Sequence, residues 1–223
     1  MKFLHHLFSN NKPTDFDKIE GYEDIKDIVI RALDSEDNYN LLFTGPPASA
    51  KTLFLLGILE LTHGVYFDGS NTTNRILDVL EERPLIIYID ELDKMPRTFQ
   101  NQLLNFMESG RIKVDQKKKQ YDFQIKGAKV FATSNDIGRL SKPLQSRFRK
   151  LFLSRYSEAQ FLDVSEKVLP KLSSSLSRYI GANVWKSQGD ISIGKLVRRS
   201  DGPLEIEQIM NTMVKYGSMM MHG

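Results

Sequence analysis

The chain contains no cysteine. A disulfide framework and a thiolate metal site are both excluded, which suits a reducing compartment. No apolar run approaches the roughly 20 residues that a membrane-crossing helix needs, so no span is expected and a cytoplasmic location is. The apolar stretch in residues 1–8 is too short for a signal peptide, and no cleavage-site pattern follows it. Residues 1–14 are therefore expected to form a tail, loose or docked on a partner. Internal repeats are absent, and the only low-complexity run is Lys117-Lys118-Lys119. Net charge is low too, at +3, but it is unevenly placed. Residues 111–129 and 137–150 together carry +10, leaving −7 on the remainder. A nearly neutral total thus hides a concentrated basic region.

What is present reads as alternating helices and strands. Helical spacing in Ile25, Ile28, Val29, Ala32 and Leu33 precedes an apolar strand, Leu41-Leu42-Phe43-Thr44. A loop of small residues and prolines follows, and then an apolar helix over 53–61 closed by His63-Gly64. Val65-Tyr66-Phe67-Asp68 predicts a short second strand, and Ser70-Asn71-Thr72-Thr73 offers caps for a helix ending near Arg83. Leu85-Ile86-Ile87-Tyr88-Ile89 is too densely apolar for a half-exposed strand, so it predicts a central parallel strand covered on both faces. A helix over 99–107 stops at Ser109-Gly110, and alternation on either side of a lysine-rich tip predicts a hairpin over 111–125. Tyr121 and Phe123 alternate into its buried face. Residues 128–134 read as another buried strand, and 150–153 as a last short one. Beyond Arg155 strand signals fade, and helices are expected over 161–169, 172–180, 191–197 and 203–220. These elements predict an α/β fold: a parallel five-stranded sheet between helices over residues 15–154, then a small all-α domain over 155–223.

Four stretches carry chemistry. Gly45-Pro46-Pro47-Ala48-Ser49-Ala50-Lys51-Thr52 joins a strand to a helix, where backbone N–H groups and a helix N-terminus face an anion. Lys51 is placed to reach β- and γ-phosphates and the Thr52 hydroxyl to bind Mg²⁺. Asp90, at a strand end, suits the same ion, directly or through water. Glu91 is a candidate for polarising the attacking water, and Asn135 for orienting it or sensing the γ-phosphate. Arg147 is a candidate for stabilising charge on the transferred phosphoryl group. Each has a plainer reading alone: a turn, a helix cap, a second turn, a solvated basic face. Ala50 also stands where the phosphate-loop pattern expects glycine. Their order along one α/β pattern points to a nucleotide site.

With these motifs in place, the sequence resembles an AAA+ ATPase. Gly45 to Thr52 resembles the family's Walker A motif, and Leu85-Ile86-Ile87-Tyr88-Ile89-Asp90-Glu91 its Walker B motif. Phe131-Ala132-Thr133-Ser134-Asn135 resembles the sensor 1 strand, and Leu144-Gln145-Ser146-Arg147-Phe148 the arginine-finger box. Ile19-Glu20-Gly21-Tyr22 resembles the segment that lines the adenine, which marks Ile19, Gly21 and Tyr22 as nucleotide contacts. Met107-Glu108-Ser109-Gly110 followed by the hairpin is similar to RuvB branch-migration helicases acting on Holliday junctions, with MoxR-like and MCM-like ATPases next. MCM helicases also have alanine at the place of Ala50. The likeness implies ATP and Mg²⁺ as cofactors, a helical lid over 155–223, and a homo-oligomeric ring, by family analogy a hexamer, in which Arg147 acts on a neighbour's nucleotide. Two departures stand out. Leu204 occupies the place of the sensor 2 arginine, with Arg198 and Arg199 just before it. The winged helix that RuvB carries after its lid is not expected here, so DNA contact would fall to Lys117, Lys118 and Lys119 or to a DNA-binding partner protein.

Three functions are compatible with this reading. The first is an oligomeric motor that couples Mg²⁺-dependent ATP hydrolysis to moving or remodelling nucleic acid. The second is a MoxR-like protein remodeller. The third is an ATP-gated assembly subunit that hydrolyses weakly.

Overall fold

The structure, a computed structural model, describes residues 19–186 apart from 48, 63, 72–74, 117–118 and 171. It divides into two compact units. One comprises residues 21–45 and 51–153; the other comprises 19–20, 46–50 and 154–186 among the described residues.

In the first unit, α1 (Glu23–Asp34) buries Ile25, Val29, Ala32 and Leu33 along one face. Glu23 and Asp24 occupy its first turn and Arg31 its last, each matching the helix dipole. The buried Lys129 ammonium donates to the carbonyls of Leu33 and Ser35, satisfying acceptors that the helix end leaves open. β1 (Asn40–Thr44) leads through the loop of residues 45–50 into α2 (Lys51–Leu61). Then come β2 (Val65–Asp68), α3 (Arg75–Glu81) and β3 (Ile86–Asp90). α4 (Arg97–Ser109) ends at Gly110, whose positive φ of 66° turns the chain while its N–H bonds the Phe106 carbonyl. A side chain at Gly110 would also meet the Ile125 carbonyl at 2.6 Å. β4 (Arg111–Gln116) and β5 (Lys119–Gln124) form the antiparallel hairpin expected from the alternation, with Ile112, Tyr121 and Phe123 buried. β6 (Lys129–Ser134) is buried throughout its length, and α5 (Lys142–Ser146) precedes β7 (Arg149–Phe152).

Five strands form one parallel sheet in the order β2-β3-β6-β1-β7. Side chains alternate between its faces. Phe43 stacks on Phe54 of α2 at 5.2 Å between ring centroids, and Tyr88 on Phe131 at 5.8 Å. On the opposite face Leu42, Ile87, Ile89, Val130 and Ala132 join residues of α3, α4, α5 and the hairpin in a single apolar core. Both faces are covered, which explains why the central strands read as unbroken apolar runs.

In the second unit, α6 (Glu158–Val168) opens on a capping box between Ser157 and Gln160, and α7 (Ser174–Lys186) packs on it. Phe161 meets Trp185 at 5.5 Å, and the Arg155 guanidinium lies 4.4 Å from the Trp185 ring centre. Gly181 lets the helices approach closely: a Cβ there would lie 2.4 Å from the Ser165 hydroxyl. Lys167 pairs with Glu20 in the same unit. The helices expected over 191–197 and 203–220 lie outside the described residues, as do the tail of residues 1–14, Arg198, Arg199 and Leu204.

Candidate active site

The parallel sheet brings several of the singled-out residues to one edge. β1, β6 and β3 are neighbours, and Thr44 stands in register with Ser134. Gly45, Asn135, Asp90 and Glu91 therefore follow the carboxyl ends of three adjacent strands, where open α/β sheets bind ligands. Lys51 opens α2 and is buried, with Thr52 beside it half-buried. In the loop before them Pro46 is half-buried, Pro47 exposed, and Ser49 and Ala50 buried; Ala48 lies outside the described residues. The left-handed backbone positions other than glycine are Tyr22, Arg83 and Glu91 among the described residues, so Ala50 needs none of glycine's freedom.

The two carboxylates have different partners. Asp90 Oδ1 accepts from the Thr133 hydroxyl at 2.5 Å, and Oδ2 accepts from the Tyr66 hydroxyl at 3.0 Å. The same Thr133 oxygen accepts the Glu91 N–H at 2.8 Å. Thr133 thus ties Asp90, which ends β3, and Glu91, which follows it, to β6. Burial and the nearby Asp90 carboxylate push the Tyr66 phenol above its usual range, so it stays a donor. Glu91 is left-handed, at φ 53° and ψ 49°, and its carboxylate receives the Lys94 ammonium at 2.7 Å on each oxygen. Its hydrogen bond to Glu91 is the main reason Lys94 is held above the usual lysine range. Gly69 packs directly against this turn: a Cβ there would lie 2.3 Å from the Glu91 carbonyl oxygen. Next to it, Asp68 accepts from the Ser70 hydroxyl, the Ser70 N–H and the Asn71 amide, which keep its carboxyl below the usual range.

Asn135 is anchored by its backbone, whose N–H donates to the buried Asp93 carboxylate at 3.0 Å, while its side chain is exposed. The adjacent Ser134 hydroxyl is buried and has no hydrogen-bond partner among the described residues. Arg147 is not brought to this edge. It lies two residues before β7 begins, at the amino end of that strand, where Arg149 is in register with Leu41. There it is half-exposed and bonds Glu108 at 2.5 Å. Of the residues expected along the adenine, Ile19 is buried in the second unit. In the first unit Gly21 and Tyr22 take left-handed backbone, and Tyr22 meets Phe54 edge-on at 6.0 Å. Lys117, Lys118 and the Lys119 side chain lie outside the described residues. The sequence reading passed over Tyr66, Gly69, Asp93, Lys94 and the role of Thr133.

An open parallel sheet with a phosphate-type loop after β1 and carboxylates at the end of β3, on the other side of β6, defines a P-loop nucleotide-binding α/β protein. The family model for the ATPase family associated with various cellular activities (AAA) matches residues 41–156, and the chain belongs to that family. Solved structures share the fold. A point mutant of Thermotoga maritima RuvB is 18% identical with a TM-score of 0.63, over 91% of this chain and 72% of that one. The structure described as the Thermotoga maritima RuvB Holliday junction branch migration motor is 18% identical with a TM-score of 0.58, over 90% and 71%. No curated protein matches the chain. No helix among the described residues is long and apolar enough to cross a membrane.

Proposed function

We propose that the chain is a Mg²⁺-dependent ATP-hydrolysing AAA+ motor that assembles into a ring, by family analogy a hexamer, and moves or remodels nucleic acid. The observation that carries this reading is the shared carboxyl edge of β1, β6 and β3, with Gly45, Asn135, Asp90 and Glu91 at its strand ends. The donor set there fits the cofactor: one carboxylate, Asp90, and one hydroxyl, Thr52, suit an ion that keeps waters and phosphate oxygens as its other ligands. When bound, Mg²⁺ neutralises charge on the phosphates. Lys51 and the loop N–H groups hold the phosphates. Glu91, released from Lys94, accepts hydrogen bonding from the attacking water, and the Asn135 side chain orients it. Ile19, Gly21 and Tyr22 contact the adenine, and residues 155–223 form the lid.

Arg147 acts in trans. Its place at the amino end of β7, opposite the edge that carries the carboxylates, supports a role on a neighbouring subunit's nucleotide. Lys117, Lys118 and Lys119 at the hairpin tip track phosphates without sequence preference, and a DNA-binding partner protein assists. The test is ATPase activity with and without four-way-junction, duplex and single-stranded DNA across salt. Stimulation that fades as salt rises is expected. Lys51→Ala abolishes nucleotide binding, and Glu91→Gln binds ATP without turning it over. Hydrolysis that responds to no nucleic acid but rises with a protein partner overturns the nucleic-acid part and favours a protein remodeller.

A further inference from the structure

Tyr66 was not singled out by any motif, yet among the described residues it is one of two side chains that donate to Asp90. The donors come from opposite sides: Thr133 from β6 and Tyr66 from β2, the strands flanking β3. Tyr66 stands in register with Tyr88, and Asp68 with Asp90, so Tyr66 and Asp90 are diagonal neighbours on one face of the sheet. With strands about 4.8 Å apart and a rise of about 3.3 Å per residue, such a pair is about 8 Å apart at the backbone, a gap that a phenol spans and shorter side chains do not.

We propose that Tyr66 is a positioning residue for the Asp90 carboxylate, fixing the orientation in which Asp90 receives the divalent ion or its bound water. The proposal rests on the nucleotide-site reading above. One donor leaves a carboxylate free to swing about its Cβ–Cγ bond. A second donor on the other oxygen fixes its plane and aims the remaining lone pairs. Hydrogen bonds to a ligating carboxylate tune affinity in this way, and losing one typically costs 10–100-fold in metal affinity. Packing alone does not account for Tyr66. It is 40% exposed on the edge strand β2, while its neighbours Val65 and Phe67 pack against the core. The fold uses its ring only in part, and the hydroxyl is directed at an acid.

The experiment uses the full chain carrying Glu91→Gln, which stops turnover, and compares it with the same chain carrying Tyr66→Phe as well. Mn²⁺ affinity in the presence of ATP is read from the electron paramagnetic resonance of free Mn²⁺. Nucleotide affinity in EDTA is read separately with a fluorescent ATP analogue. Tyr66→Phe is expected to weaken Mn²⁺ binding by about 10-fold and to leave nucleotide affinity in EDTA unchanged. Tyr179→Phe, on the exposed surface of α7, is expected to change neither. Tyr66→Leu serves as a second variant without the hydroxyl and is expected to show the same loss. Equal or tighter Mn²⁺ binding in both Tyr66 variants overturns the proposal, as does a loss of the same size in EDTA, which marks a general structural role. If the Glu91→Gln parent shows no divalent-dependent nucleotide binding, the nucleotide-site reading falls and the proposal with it.

Discussion

Replacing Thr133 by valine keeps the side-chain shape and removes one hydroxyl that makes two hydrogen bonds. Thr133 is 1% exposed, so water reaches the vacated place poorly. The Glu91 N–H loses its acceptor, at a cost of about 1–3 kcal/mol for an unpaired buried donor. Asp90 loses a charge-assisted donor, nominally about 1.5–3 kcal/mol. That second loss is discounted, because Asp90 is only half-buried and retains Tyr66. The expected sum is about 2–4 kcal/mol. For a protein of this size that lowers the melting temperature by roughly 5–15 °C. Thr133→Ser keeps the hydroxyl and loses one methyl, so it should cost only about 1 kcal/mol. Thermal and urea unfolding of the two variants beside the parent decide the matter. A Thr133→Val protein within about 0.5 kcal/mol of the parent, or a Thr133→Ser protein equally destabilised, refutes the idea that this hydroxyl ties β3 to β6.

Three further outcomes are expected. Gly181→Ala places a Cβ 2.4 Å from the Ser165 hydroxyl and 2.8 Å from its Cβ, so it should destabilise α6 on α7 by about 1–3 kcal/mol, read by urea unfolding. Adding Ser165→Gly should recover part of that loss. The Asp68 carboxyl is held low chiefly by the Ser70 hydroxyl, so its stabilisation is complete above its unfolded value of about 4 and is lost as pH falls through the lower folded value. Asp68→Asn should accordingly flatten the acid end of a stability–pH curve. Arg147→Ala should bind ATP and fail to hydrolyse it, while mixing it with Glu91→Gln subunits restores turnover at mixed interfaces; normal hydrolysis by Arg147→Ala alone removes the trans assignment.

The sheet was legible because burial on both faces leaves a mark: the runs at residues 41–43, 86–89 and 130–132 are apolar without alternation. The hairpin showed through period-two patterning, and Gly110 through helix-stop chemistry. The loop was legible as a glycine–proline turn between a strand and a helix, and Asp90-Glu91 as an acidic pair closing an apolar strand. The order of the strands was not written in this way, since pairing partners lie far apart in sequence. The same reason hid Tyr66 and Thr133, which meet Asp90 across 24 and 43 residues. Lys94 was within reach of sequence reasoning, because its spacing of three from Glu91 predicts an ion pair on any helical turn. The need for glycine at position 69 becomes visible only when β2 and β3 lie side by side and the Glu91 carbonyl approaches it.

Conformational strain sits in an unexpected place. The departure visible in the sequence was Ala50, where the phosphate-loop pattern calls for glycine. Ala50 is buried without left-handed backbone, so its methyl group imposes no penalty from φ. At the carboxyl ends of the strands it is Glu91 that is left-handed, a conformation that costs a non-glycine residue about 1–2 kcal/mol. Its N–H bond to Thr133 and the bare α-carbon of Gly69 hold it there. The turn at Glu91 ends β3 and gives the two adjacent carboxylates separate surroundings. Asp90 is fixed by two hydroxyls from neighbouring strands. Among the described residues the Glu91 carboxylate meets a lysine three residues on, in a pair that is partly exposed and so worth about 0–1 kcal/mol. One acid is thus held from two sides and the other by a weak contact, and under the proposed function that difference suits a fixed ligand beside a releasable one.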